Sequence, residues 1–139
     1  MKLSALVGVL GLVGAAVAAT VHAEDKAAAP LHYYELRTYT AVAGRLPALH
    51  ARFRNHTVRL FEKHGMKMVG FWTPVDKENT LIYVIEHASP EAATKSWAAF
   101  RADPDWIKAK KASEDEAGGP LTEKVESVFM TPTDFSALK

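Results

Sequence analysis

The chain of 139 residues has no cysteine. A disulfide framework, a lipid-modified N-terminal cysteine and a cysteine-based metal or redox pair are therefore all excluded. It also lacks an excess of either charge, with 17 lysines and arginines against 16 aspartates and glutamates. A balance this even leaves no basic footprint for nucleic acid or an anionic membrane. No Ser-His-Asp spacing, phosphate-cradling glycine loop or internal repeat is present either. The sequence is poor in ready-made chemistry.

One long apolar run exists, and it is N-terminal. Lys2 precedes 17 residues from Leu3 to Ala19, and Thr20-Val21-His22-Ala23 follows with small residues where a signal peptidase reads. The run falls short of the ~20 residues a membrane helix needs, so the expectation is a secretory signal peptide spanning 1–23, cleaved after Ala23. A retained anchor is the alternative. Cleavage leaves 116 residues with 16 basic and 16 acidic side chains, enough for one domain, secreted or periplasmic and free of the membrane. Glu24 to Pro30 reads as a flexible spacer, and 31–139 as the domain.

Tyr33 to Thr40 is rich in aromatic and β-branched residues and reads as a strand. After Gly44, stepping about 100° per residue from Leu46 brings Leu49, Phe53, Thr57, Leu60, Phe61 and His64 within about 60° of one line. That is an amphipathic helix, stopped by Gly65. Strands are expected from Met66 to Thr73, Thr80 to His87 and Glu123 to Met130, the first two as a hairpin. Simple alternation sets Met66 and Met68 opposite Val69 and Phe71 in the first of these.

The second helix starts at Ser89-Pro90-Glu91 and carries Ala93, Trp97 and Phe100 on one face. Pro104 has no amide proton and forces Asp103 out of the helical region. The helix should stop there and restart, with Asp103 as N-cap, Pro104 as first residue and Trp106 as the first large side chain presented.

The resulting order is βαββαβ, a ferredoxin-like α+β fold with an antiparallel four-stranded sheet and helices on one face. The third strand is apolar on both sides, with Leu81, Tyr83 and Ile85 on one and Ile82 and Val84 on the other. The uncovered face calls for a second copy of the chain, giving a homodimer of the α+β barrel kind.

Three stretches carry a family resemblance. Tyr34-Glu35-Leu36-Arg37-Thr38-Tyr39-Thr40, Gly65-Met66-Lys67-Met68-Val69-Gly70-Phe71-Trp72 and Phe100-x-x-Asp103-Pro104-x-Trp106, in this order and spacing, resemble the NIPSNAP family. The resemblance covers nearly all of the sequence beyond the signal and implies the dimeric α+β barrel superfamily. That superfamily also houses cofactor-free monooxygenases and haem-handling enzymes. The family itself has no generally accepted chemistry. Its eukaryotic members are associated with mitochondria and protein interactions, whereas the export signal here points to a bacterial envelope.

Glu35 and Arg37 share a strand face with Tyr33 and Tyr39. Arg37 is suited to hold a ligand carboxylate or carbonyl between aromatic walls; the blander reading is an ion pair at the dimer interface or the sheet edge. His50, His56 and His64 have no i, i+4 spacing, so one helix offers no metal site and none is expected. His50 and His64 read as satisfied core or cap residues. His56, on the margin of the apolar face, is placed to reach a cleft beside Trp72 or the sheet as a general base or haem ligand. Trp72, Tyr83 and Trp106 read as pocket walls or packing anchors. Lys108, Lys110 and Lys111 form a solvated face answered by Glu114, Asp115 and Glu116.

These readings point to an exported homodimer without a cofactor, binding a small, partly apolar molecule between sheet and helices or serving as an interaction module. No catalytic residue is assigned. A cofactor-free oxygenase is the alternative, and it requires Trp72, His56 and Tyr83 to converge on one cavity. Haem handling is the third.

Overall fold

The computed structural model describes residues 32–139. The signal-peptide and spacer readings, 1–23 and 24–30, lie outside the described residues. Strand β1 spans Tyr33–Ala41. A helical rod follows, made of α1 (Leu46–Arg52), a π-helical turn (Phe53–Thr57) and α2 (Val58–Lys63). Then come β2 (Lys67–Trp72), β3 (Thr80–His87), α3 (Pro90–Ala102), α4 (Pro104–Ala117) and β4 (Thr122–Met130). The strands pair antiparallel in the order β2-β3-β1-β4, which is the expected βαββαβ arrangement. Strand β1 is thus central.

The helices cover one face. Leu49, Phe53, Leu60 and Phe61 from the rod meet Leu81, Tyr83 and Ile85 from β3 and Trp97 and Phe100 from α3, all buried. Phe61 is the hub, with ring centroids 4.7 Å from Phe100, 5.3 Å from Trp97 and 5.9 Å from Tyr83. Each large side chain so buried stabilises the fold by about 1.5–3 kcal/mol. Gly65, at φ +75°, ends the rod where an L side chain would be strained.

The break in the second helix forms as its sequence requires. Asp103 is extended (φ −66°, ψ 123°), and its Oδ1 accepts from the Asp105 amide at 2.8 Å as the N-cap of α4. Its Oδ2 accepts from Lys63 Nζ at 2.8 Å and His64 Nε2 at 2.6 Å, which ties the restart to the end of the rod. These contacts outweigh the desolvation of Asp103 and hold its carboxyl well below the usual range. Trp106 then packs on Phe100, centroids 4.5 Å apart.

Two features depart from the sequence pattern. A bulge at Val69 shifts the register of β2 between Met68 and Gly70, so Met68 pairs with Ile85 and Phe71 with Tyr83. Phe71 therefore joins Met68 on the helix side, where strict alternation had set them on opposite faces. Trp72 emerges on the outer face with Gly70, and its ring lies so close that a Cβ at Gly70 would meet it at 2.7 Å. The second departure concerns the outer face, which residues 131–139 partly cover. Pro132 and Leu138 border a groove with Val69, Trp72 and Val84, and the Tyr34 hydroxyl donates to the Lys139 carbonyl at 2.9 Å.

Candidate functional site

Four of the eight residues singled out from the sequence meet beneath the helices. Glu35, 1% exposed, is the centre. Its Oε1 accepts from Arg37 Nη1 at 2.7 Å and from the Ser127 hydroxyl at 2.5 Å. Its Oε2 accepts from the Trp97 indole at 2.6 Å and pairs with His87 Nε2 at 2.9 Å. Burial alone pushes such a carboxyl pKa up, but the bonds from His87, Ser127, Arg37 and Trp97 outweigh it and hold Glu35 at about 2. The carboxylate is ionised and only accepts, so His87 Nε2 carries the proton in that pair.

Arg37 extends the centre. Its guanidinium lies 4.2 Å from the Trp97 ring centroid, and Nη2 donates to the Tyr39 hydroxyl at 3.4 Å. Tyr39 and Tyr83 touch edge-on at 5.3 Å. Burial works against the charge on Arg37, yet the Tyr83 and Tyr39 oxygens and Glu35 hold it firmly protonated, while burial pushes the Tyr83 hydroxyl well up. Tyr33 stands at the border, stacked on Phe129 at 5.1 Å. The ion pair thus sits under the helices on a central strand, neither at the sheet edge nor on the outer face. The position expected for a ligand carboxylate on Arg37 is filled by Glu35 itself.

The other candidates lie elsewhere. His56 is exposed and faces a groove between the rod and α4, away from Trp72. The physical reason is α4, which packs on the flank of the rod carrying Arg52 and His56. A helix wheel of the rod alone could not show that second covered flank. Trp106 lies under the Arg52 guanidinium, 5.3 Å from it. Trp72 borders a different groove, and Tyr83 is fully buried in the core. His56, Trp72 and Tyr83 therefore share no groove, which the oxygenase reading required. His64 is paired as expected, with Asp103.

The groove beside Trp72 is the better candidate site. It has a volume of about 310 Å³ and lies between the rod and the β2–β3 end of the sheet, lined by His50, Phe53, Arg54, Val58, Phe71, Trp72, Thr73 and Leu81. Phe53 and Arg54 come from the π turn, where the buried Thr57 hydroxyl donates to the Arg52 carbonyl at 3.2 Å. Such wide turns recur at functional sites. His50 was expected to be satisfied, yet its Nε2 is buried with no partner among the described residues. An apolar groove with one idle ring nitrogen suits a ligand that brings a single polar group to it.

Sequence reasoning missed His87, Ser127 and Arg52. His87 carried a signal, because it follows Leu81, Tyr83 and Ile85 at strand period and so falls on the core face. Ser127 lies opposite Arg37 only through the β1–β4 register. No cluster of three or more metal-ligating side chains occurs among the described residues.

The NIPSNAP family model matches residues 34–137. No curated protein matches the chain. Among solved structures, a NIPSNAP family protein of unknown function from Agrobacterium tumefaciens is similar at TM-score 0.69 and 24% identity, over 79% of this chain and 96% of that one. An uncharacterized NIPSNAP domain protein from Burkholderia xenovorans follows at TM-score 0.63 and 21% identity, over 75% and 97%. SnoaB, a cofactor-independent oxygenase from Streptomyces nogalater, shares the fold at TM-score 0.55 and 14% identity, over 78% and 99%.

Proposed function

The chain belongs to the NIPSNAP family, and on that premise we propose that it is an exported homodimer that binds a small, partly apolar molecule in the groove beside Trp72. The observation that carries this reading is a groove lined by Phe53, Val58, Phe71 and Leu81 together with His50, whose Nε2 is buried without a partner among the described residues. A ligand with an apolar body and one hydrogen-bonding group satisfies that nitrogen and removes the cost of leaving it unpaired. Arg54, exposed at the mouth, favours a polar or anionic outer end.

The dimer is supported by the outer face of the sheet, where Leu36, Ile82, Val84 and Val128 lie together in register on β1, β3 and β4. Val128 is 55% exposed. The C-terminal segment shields the Trp72 side of this face, and a second copy is suited to cover the rest. The apolar run ahead of Ala23 supports export.

The oxygenase alternative loses its support with the separation of His56, Trp72 and Tyr83. Haem does not fit the candidate histidines. His56 stands exposed, and the groove that His50 faces lies at the lower end of the range for drug-sized ligands, without the enclosed slot a porphyrin needs.

Titration with the neutral fluorescent probe N-phenyl-naphthylamine tests the binding reading. Wild-type protein should enhance its emission saturably, and Val58→Trp, which fills the groove, should abolish the effect. Equal enhancement by both proteins contradicts the proposal.

A further inference from the structure

We propose a second binding site, for a small organic monocarboxylic acid, in the groove between the helical rod and α4, with Arg52 as the residue that holds the acid. The groove lies on the flank of the rod that carries His56, and its volume is about 310 Å³. Its walls are the small side chains of Ala48, Ala51, Ala109 and Ala112, which leave room for a short alkyl or aryl body.

Arg52 supplies the charge. It is only 4% exposed, it lines the groove, and its Nε has no partner among the described residues. Its other contacts are long: Nη1 lies 3.4 Å from the Ser113 hydroxyl and 3.5 Å from Glu114 Oε1. Glu114 is shared, since its Oε2 accepts from Lys110 Nζ at 2.8 Å. Trp106 faces the guanidinium from α4 and adds a π surface but no acceptor. A buried guanidinium answered this weakly is costly, and burial lowers its pKa accordingly. A carboxylate entering the groove supplies the missing acceptor and lets Glu114 stay with Lys110.

The neighbouring acids select the ligand. Glu114 is close to Arg52, and Glu116 borders the same groove, so a phosphate or a dicarboxylate meets stronger repulsion than a single carboxylate does. The site thus calls for one negative charge on a compact apolar body. It is independent of the groove beside Trp72, which opens on the other flank of the rod.

Isothermal titration of the full chain with octanoate and with its neutral amide, octanamide, tests the assignment. Octanoate should bind at least about tenfold more tightly than octanamide, the scale expected for pairing a buried charge. Ala112→Trp, at an exposed wall position, and Arg52→Met should each weaken octanoate at least about tenfold, while Val58→Trp leaves it unchanged. Circular dichroism checks the fold of each variant. If Arg52→Met does not fold, the amide comparison and Ala112→Trp decide. Absence of binding, equal binding of acid and amide, or a loss confined to Val58→Trp overturns the proposal.

Discussion

The indole N–H of Trp97 donates to Glu35 Oε2 at 2.6 Å, joining helix α3 to the central strand through the core. The same indole ring carries the Arg37 guanidinium on its face. Trp97 therefore acts as both donor and platform, and its burial is only part of its contribution. Trp97→Phe keeps much of the apolar area but removes one bond to the carboxylate. A loss of about 1.5–3 kcal/mol is expected, the range for a hydrogen bond to a charged group. Urea denaturation reads it; an unchanged midpoint would mean that Glu35 is satisfied without Trp97.

Glu35 also sets an acid limit. Its carboxyl is held at about 2 against an ordinary 4.5, so its contribution is fully present above about pH 4.5 and is lost as pH falls through 2. Asp103 is lowered in the same direction and adds to the same slope. Melting temperature should fall between about pH 5 and pH 2, and less steeply in Glu35→Gln, which cannot titrate there. Parallel curves for the two proteins would contradict this role for Glu35.

Asp103 is where the rod, α3 and α4 meet. Asp103→Ala removes the cap of α4 and the acceptor shared by Lys63 and His64. A melting temperature lower by about 5 °C or more is expected from loss of the cap. Asp103→Asn keeps the capping oxygen and should recover part of the loss. If Asn is no better than Ala, the cap is not what matters.

The outer face of the sheet gives the test of assembly. Ile82→Glu places a charge among Leu36, Val84 and Val128 without touching the core between sheet and helices. Light scattering should report a dimer for the wild type and a monomer for the variant, with unchanged circular dichroism. A monomeric wild type at micromolar concentration would remove the dimer from the account.

Much of this architecture is written locally. Ser89-Pro90, Asp103-Pro104 and Gly65 are punctuation whose physics acts within a few residues, and each ends or starts a helix where its chemistry requires. The Glu35–Arg37 pair was visible as a period-two couple, but its partners were not, because His87, Trp97 and Ser127 come from three other elements. The bulge at Val69 turns Phe71 inward and Trp72 outward, and no pattern of apolar residues announces it. Arg52 was missed, and His56 was expected beside Trp72 or the sheet, for a related reason. One helix shows its own apolar stripe, but only the packing of α4 shows which polar flank becomes covered.

The central claim is that the groove beside Trp72 holds a small molecule. Native mass spectrometry of the protein purified from its own cells tests it most directly, since it weighs the folded chain with whatever it retains. The expected result is a species heavier than the polypeptide by a small organic mass, present in the wild type and missing from Val58→Trp. A wild-type protein carrying no added mass, or one whose every added mass persists in Val58→Trp, would contradict the account.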